Sequence, residues 1–184
     1  MNPLNFICRS PAFRKQLEEM RPRLYKVAYS WCHAADLADD LVQDAVIKAM
    51  RNANSLRDMN KMNSWLFTIL ANCWRDHLRR QKPTDDIDEC IFTDDVSPEF
   101  VQERQNITDI VQHAVAELPL GQRQVLTLVD LEGFSYAEVA EIIGIPAGTV
   151  MSRLNRARKA LSEQLLELKE ENVLSSGIHI RVVK

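Results

Sequence analysis

Apolar residues recur at helical spacing along most of this chain. Between Pro22 and Pro83 there is neither proline nor glycine, so nothing interrupts that spacing. In residues 34–52, AADLADDLVQDAVIKAMRN, the residues Leu37, Leu41, Ala45 and Ala49 form one stripe directed inward. The far face holds Asp39, Gln43, Ile47 and Met50, with Asp40 at its edge. Large apolar residues among acids and an amide on an outward face point to a partner surface; the plainer reading is a third helix covering Ile47 and Met50. In residues 64–82, SWLFTILANCWRDHLRRQK, the residues Leu66, Ile69, Leu70 and Cys73 fall on one side, and Phe67, Trp74 and Leu78 on another. A narrow polar strip of Thr68, Asn72, Arg75 and Arg79 remains, ending in Arg79, Arg80 and Lys82. A helix so apolar must be largely buried with that strip exposed.

The second half carries the sharpest local signals. Ser135 followed by Glu138 is a capping-box pattern opening the helix SYAEVAEII. Gly144 then ends it in a tight turn, and Pro146 stands where a further helix begins. That helix is expected from about Ala147 to Leu168, with Val150, Leu154, Ala157 and Leu161 as its apolar stripe. Two helices joined through a glycine turn make a helix-turn-helix, although an ordinary helical hairpin has the same spacing. The last segment, 169–184, leaves the helical pattern and alternates at IHIRV. It is expected to be disordered, or else a short strand.

Charge separates these alternatives by segment. The whole chain has 184 residues and a net charge of −3. Residues 1–80 carry a net +5, residues 81–105 a net −6 and residues 106–184 a net −2. The middle segment, rich in carboxylates and without sustained period, reads as an acidic linker. The expected fold is therefore all-α: two small helical domains, 1–80 and 106–168, joined by the linker 81–105 and followed by the tail 169–184. On the last helix, four basic residues fall between positions 153 and 159, and no acid occurs between Glu141 and Glu163. A solvated face would more often mix signs. Arginine offers a planar fork of donors to phosphate or guanine. By the docking rule for such motifs, Gly148, Thr149, Met151, Ser152, Arg153, Asn155, Arg156 and Arg158 are placed to contact DNA, and Lys159 to contact phosphate. The basic strip of the 64–82 helix, beside Trp65 and Trp74, suits unpaired bases, although core tryptophans are commoner.

Composition excludes several classes. Only five glycines occur, none before Gly121, so a glycine-rich phosphate loop is ruled out. Apolar runs are too short and too interrupted to span a membrane, and the N-terminus lacks the apolar core of a signal peptide, so a cytoplasmic location is expected. Cys8, Cys32, Cys73 and Cys90 are irregularly spaced and read as free thiols. Cys73 and His77 could share a helical face, but two ligands are too few for zinc. No cofactor, metal or catalytic constellation is expected, and an enzyme is the least supported class.

Taken in order, DLADDLVQDAVIKAM, NSWLFTILANCWRDHLRRQK, the acidic segment and LPLGQRQVLTLVDLEGFSYAEVAEIIGIPAGTVMSRLNRARKAL resemble an extracytoplasmic-function sigma factor of bacterial RNA polymerase over about residues 11–166. The resemblance implies that domain 1–80 is region 2 and domain 106–168 is region 4. It implies that the 37–50 helix docks on a coiled coil of the polymerase core, with Asp40, Gln43 and Asp44 on the family's acid-and-amide positions. Residues 57–63 and the helix after them would open and read the −10 promoter element. Asn72, Arg75, Asp76 and Arg79 match that motif, and Met59, Asn60, Lys61 and Asn63 occupy the loop that captures a flipped base. The helix after Pro146 would read the −35 element, with Ser152, Arg153, Arg156 and Arg158 on the family pattern; Met151 and Asn155 depart from its usual basic or aromatic residues. It also implies an anti-sigma factor as a partner, often membrane-anchored, and an acidic linker that enters the polymerase channel. Two other readings stay open: a sigma-like decoy for an anti-sigma protein, and a plain helix-turn-helix regulator. The basic recognition helix speaks against the first and the 37–82 region against the second.

Overall fold

The structure, a computed structural model, describes residues 10–81 and 107–176, with side chains over 10–81 and 111–166. Among the described residues every regular element is helical. The acidic segment lies outside them, as do Cys8 and Cys90.

The first half is a three-helix bundle. Helix α1 spans Pro11–Cys32; Ser10 caps it by accepting the Phe13 N–H at 3.1 Å, and Pro11 takes the first-turn position that needs no donor. Pro22 lies inside α1 on its exposed side, where water can replace the hydrogen bond a proline cannot make. The helix ends at His33, whose left-handed φ of 51° lets its N–H reach the Tyr29 carbonyl at 2.8 Å. Helix α2 spans Ala35–Asn52 and α3 spans Met62–Gln81, joined by short turns at Ala53–Ser55 and Met59–Lys61. Phe13, Leu24, Trp31, Leu66, Phe67 and Leu70 are buried between them. Each such side chain contributes about 1.5–3 kcal/mol when fully removed from water. In α2 the inward stripe is Ala38, Leu41, Val42, Ala45 and Ala49; Leu37, expected to be central, is half-buried because the stripe is rotated toward Ala38 and Val42.

The second half packs α4 (Ile107–Ala116), α5 (Leu120–Leu126), α6 (Tyr136–Ile143) and α7 (Ala147–Ser176) around Val125, Leu128, Val139, Val150, Leu154 and Ala157. After α5 the backbone widens into a π-turn over Thr127–Leu131. The capping box forms: the Glu138 N–H donates to Ser135 Oγ at 3.3 Å, and the Ser135 N–H donates to Glu138 Oε2 at 2.9 Å. Gly144 has φ 78°, a conformation open to glycine at little cost, and its N–H closes on the Ala140 carbonyl at 2.9 Å. The expected end of α7 at Leu168 is corrected: the helix continues through Ser176. Residues 169–176 include the good helix formers Lys169, Glu170, Glu171 and Leu174 and neither proline nor glycine, and the next residue is Gly177, a natural stop. The expected disorder or strand after it, 177–184, lies outside the described residues.

The two halves do not stand apart. The Trp31 indole N–H donates to Thr127 Oγ1 at 2.9 Å, and Arg23 pairs with Glu132 at 2.6 Å. Phe67 meets Phe134 edge to face at 5.3 Å. The buried Arg123 guanidinium donates to the Leu118 carbonyl at 3.0 Å and to the Trp31 carbonyl, at the C-terminal end of α1, at 3.5 Å.

Candidate nucleic-acid interface

Helix α7 is anchored on one side by Val150, Leu154 and Ala157, all buried. Gly148, Met151, Ser152, Asn155, Arg156 and Lys159 are therefore turned to solvent, and Thr149 is half-exposed. Met151 exposes 56% of its surface, far more than packing would leave to a core methionine. Two of the expected contact arginines are differently engaged. Arg158 makes a two-point contact with Asp130 of the π-turn, at 2.6 and 3.1 Å, which braces α7 against the turn before α6. Arg153 is half-buried and lies over α5; a Cβ added at Gly121 would stand 2.9 Å from its Nη1, so this glycine makes the room it occupies. Beneath the motif, Glu138 titrates below the ordinary carboxylate range because it accepts hydrogen bonds from the Ser135 hydroxyl and backbone N–H.

In the first half, Asp58 opens the turn before α3 by accepting the Asn60 N–H at 2.9 Å. Asn60 and Lys61 are exposed, and Asn63 is half-buried; its Oδ1 is buried without a hydrogen-bond partner among the described residues. Trp65 packs edge to face on Phe13 at 6.4 Å yet keeps part of its ring at the surface, whereas Trp74 is core and stacks on His77. Thr68, Asn72, Arg75 and Arg79 share one face, as the spacing required. Arg75 is held at both ends: Nη1 donates to Asn72 Oδ1 at 2.8 Å and Nη2 to the Ile143 carbonyl of α6 at 2.5 Å. Asp76 lies on a different face. It accepts from Lys48 of α2 at 3.1 Å and, with Arg80, lines a shallow groove bordered by Asp40 and Asp44.

Helix α2 leaves Asp39, Asp40, Gln43, Asp44, Ile47 and Met50 exposed. Among the described residues no third helix covers Ile47 or Met50, which expose 45% and 50% of their surfaces. Burial pushes the Cys32 and Cys73 thiols up, so both stay protonated at neutral pH. Among the described residues no group of three or more His, Cys, Asp or Glu is arranged to hold a metal ion, and no helix is long and apolar enough to cross a membrane. Sequence reasoning did not find Arg23, Trp31, Arg123, Thr127, Glu132 or Phe134, which join the halves. Their partners lie far away in the chain, and periodicity carries no such signal.

Residues 17–84 match the family model described as Sigma-70 region 2, and residues 108–161 match Sigma-70, region 4. The chain is 37% identical over 145 residues to the ECF RNA polymerase sigma factor EcfG of Rhodopseudomonas palustris, covering 78% of this chain and 80% of that one. It is 35% identical to the ECF sigma factor SigM of Mycobacterium tuberculosis, over 92% of this chain and 82% of the relative. Among solved structures it resembles the sigma factor RpoE in complex with the anti-sigma factor NepR from Bartonella quintana, with TM-score 0.67, 30% identity, and coverage of 85% of this chain and 98% of that one. The chain belongs to the ECF family of RNA polymerase sigma factors. Its all-α fold and the two family regions in this order are those of a factor that directs polymerase to promoters.

Proposed function

We propose the following division of labour within that family role. Residues 1–80 act as region 2, 81–105 as the linker and 106–168 as region 4. Helix α7 reads the −35 element through Gly148, Thr149, Met151, Ser152, Asn155 and Arg156, with Lys159 on phosphate; Arg153 and Arg158 take part after leaving Gly121 and Asp130. The segment Asn60–Arg80 opens and reads the −10 element through Asn60, Lys61, Asn63, Trp65, Thr68, Asn72, Arg75, Arg79 and Arg80, while Asp76, paired with Lys48, orients that helix. The α2 face of Asp39, Asp40, Gln43, Asp44, Ile47 and Met50 docks on the polymerase core. The chain carries no catalysis of its own and acts in the cytoplasm. An anti-sigma factor holds it in check; the similar RpoE of Bartonella quintana forms a complex with one, NepR.

The observation that carries this reading is the outer face of α7, exposed and without an acid over 142–162, on a helix whose other side is locked into the core. The physics favours shared labour. At −10 each unstacked base costs a few kcal/mol, which a pocket for the flipped base offsets. A chain of net charge −3 gains little non-specific affinity for DNA, so the polymerase must supply the rest. The test is transcription with purified core polymerase on genomic promoter fragments. Initiation at defined starts is expected; none, with operator binding by the chain alone, would indicate a plain regulator. Arg156→Ala should lower initiation at −35-dependent promoters about tenfold or more with core binding intact, in line with the ~1–3 kcal/mol of a bidentate base contact.

A further inference from the structure

We propose that Asn155 and Met151 set the base preference of the −35 reading: Asn155 takes an adenine edge and Met151 a thymine methyl group, so that this chain selects A·T pairs at two positions of the element. The inference rests on the assignment of α7 to the −35 element.

Three residues on the exposed side of α7 are not accounted for by the fold. Asn155 lies mid-helix, where asparagine is a poor helix former, and among the described residues its amide makes no hydrogen bond. Met151 leaves 56% of its surface in water, while Val150, Leu154 and Ala157 already fill the core side of the helix. Gly148 stands in the first turn. Its φ is not positive, and a Cβ added there would meet nothing within 4 Å, so no turn and no contact in the protein calls for glycine. Glycine nonetheless weakens a helix relative to alanine. What lies opposite this face explains all three: Gly148 lets a duplex come close to the first turn, and the other two meet its base edges.

Each side chain matches one base feature. The Asn155 amide carries an acceptor, Oδ1, and a donor, Nδ2, side by side. In the major groove adenine alone presents the complement, an N6–H donor beside the N7 acceptor; guanine offers two acceptors, and thymine one acceptor and a methyl group. Met151 brings a flexible apolar chain, which suits that methyl group, the apolar feature of the groove. The two residues are four positions apart, so they stand ~6 Å apart along the helix axis. With the helix lying in the groove, that is close to two base-pair steps of ~3.4 Å, and they face different base pairs. Their neighbours are of another kind. Arg156, also without a hydrogen bond or ion pair among the described residues, fits guanine. The Ser152 hydroxyl is turned back on the Thr149 carbonyl at 3.1 Å.

The experiment uses the full chain with core polymerase, on a promoter mapped in the transcription assay and carrying a randomised −35 element. Sequencing of barcoded transcripts gives the base preference at each position. Both side chains are exposed, so replacing them touches nothing on the buried side of α7. Wild type is expected to prefer adenine about fivefold or more at one position and thymine about threefold at another. Asn155→Ala should flatten the first position only, and Met151→Ala the second only. Altered bases test the atoms. 7-Deazaadenine, which lacks the N7 acceptor, should lower initiation by wild type but not by Asn155→Ala. Deoxyuridine in place of thymidine, which lacks the methyl group, should do so for wild type but not for Met151→Ala. For either residue, an equal loss over all sequences, as a phosphate contact gives, overturns the proposal. So does a flattened position that prefers another base, or equal sensitivity of wild type and variant to the altered base. A profile changed by Arg156→Ala but by neither of these variants overturns the inference and leaves α7 on the −35 element; a profile unchanged by all three strikes that assignment as well.

Discussion

Ser135 and Glu138 show how much one pair of side chains settles. Each satisfies a backbone or side-chain donor of the other, and together they start α6, the helix that packs against α7. Ser135→Ala should lower stability by about 1 kcal/mol, seen as a lower melting temperature with unchanged helical fold. The pH dependence follows from the depressed carboxyl of Glu138. A carboxylate with a lowered folded pKa gives stability that is complete above its ordinary range and is lost as pH falls through the folded value. The gap between wild type and Ser135→Ala is therefore expected at pH 7 and should shrink in melts below pH 4. A gap of the same size in acid would mean that the cap does not depend on the ionised Glu138.

At the scale of the element, α2 and α7 are each divided between a buried inner stripe and an exposed outer face. Helix α2 is the clearest case, because Ala38, Leu41, Val42, Ala45 and Ala49 hold it while Gln43 and Ile47 stand in solvent. Replacing Gln43 and Ile47 together by Lys touches no core contact, so folding should be unchanged, whereas association with core polymerase should fall tenfold or more in a co-purification titration. Undiminished association would place the docking face elsewhere. Helix α7 shows the same division, with one refinement. Arg158 sits on the outer face by spacing but is spent on Asp130, so its first duty is to hold α7 at its angle to the π-turn.

At the scale of the molecule, the two halves are joined by buried polar links. Trp31 and Thr127 are both buried, and their hydrogen bond satisfies an indole N–H that would otherwise be stranded. Thr127→Val keeps the volume but removes the acceptor. Stranding that donor costs about 1–3 kcal/mol, which the molecule can avoid only by parting there. The expected result is earlier deuterium uptake across α1 and the π-turn and a lower melting temperature; unchanged exchange would show that the link contributes nothing to joining the halves.

The sequence alone determined the helical class, the helices α2, α3 and α7, the cap at Ser135, the turn at Gly144 and the outward faces of α2 and α7. All are set by residues within a few positions of one another, where period and turn chemistry act directly. It misplaced the end of α7, since good helix formers after Leu168 carry the helix on past the point where the apolar stripe fades. Only the tertiary structure decided that Arg158 faces Asp130, that Asp76 turns toward Lys48, and that Arg75 spends its donors on the Ile143 carbonyl. Likewise Arg23 and Trp31 find partners 109 and 96 residues away, and Phe67 meets Phe134 across the same gap in the chain; such pairings leave no periodic trace. They arise where surfaces distant in the chain meet, through one ion pair, one buried hydrogen bond and one aromatic contact among those named.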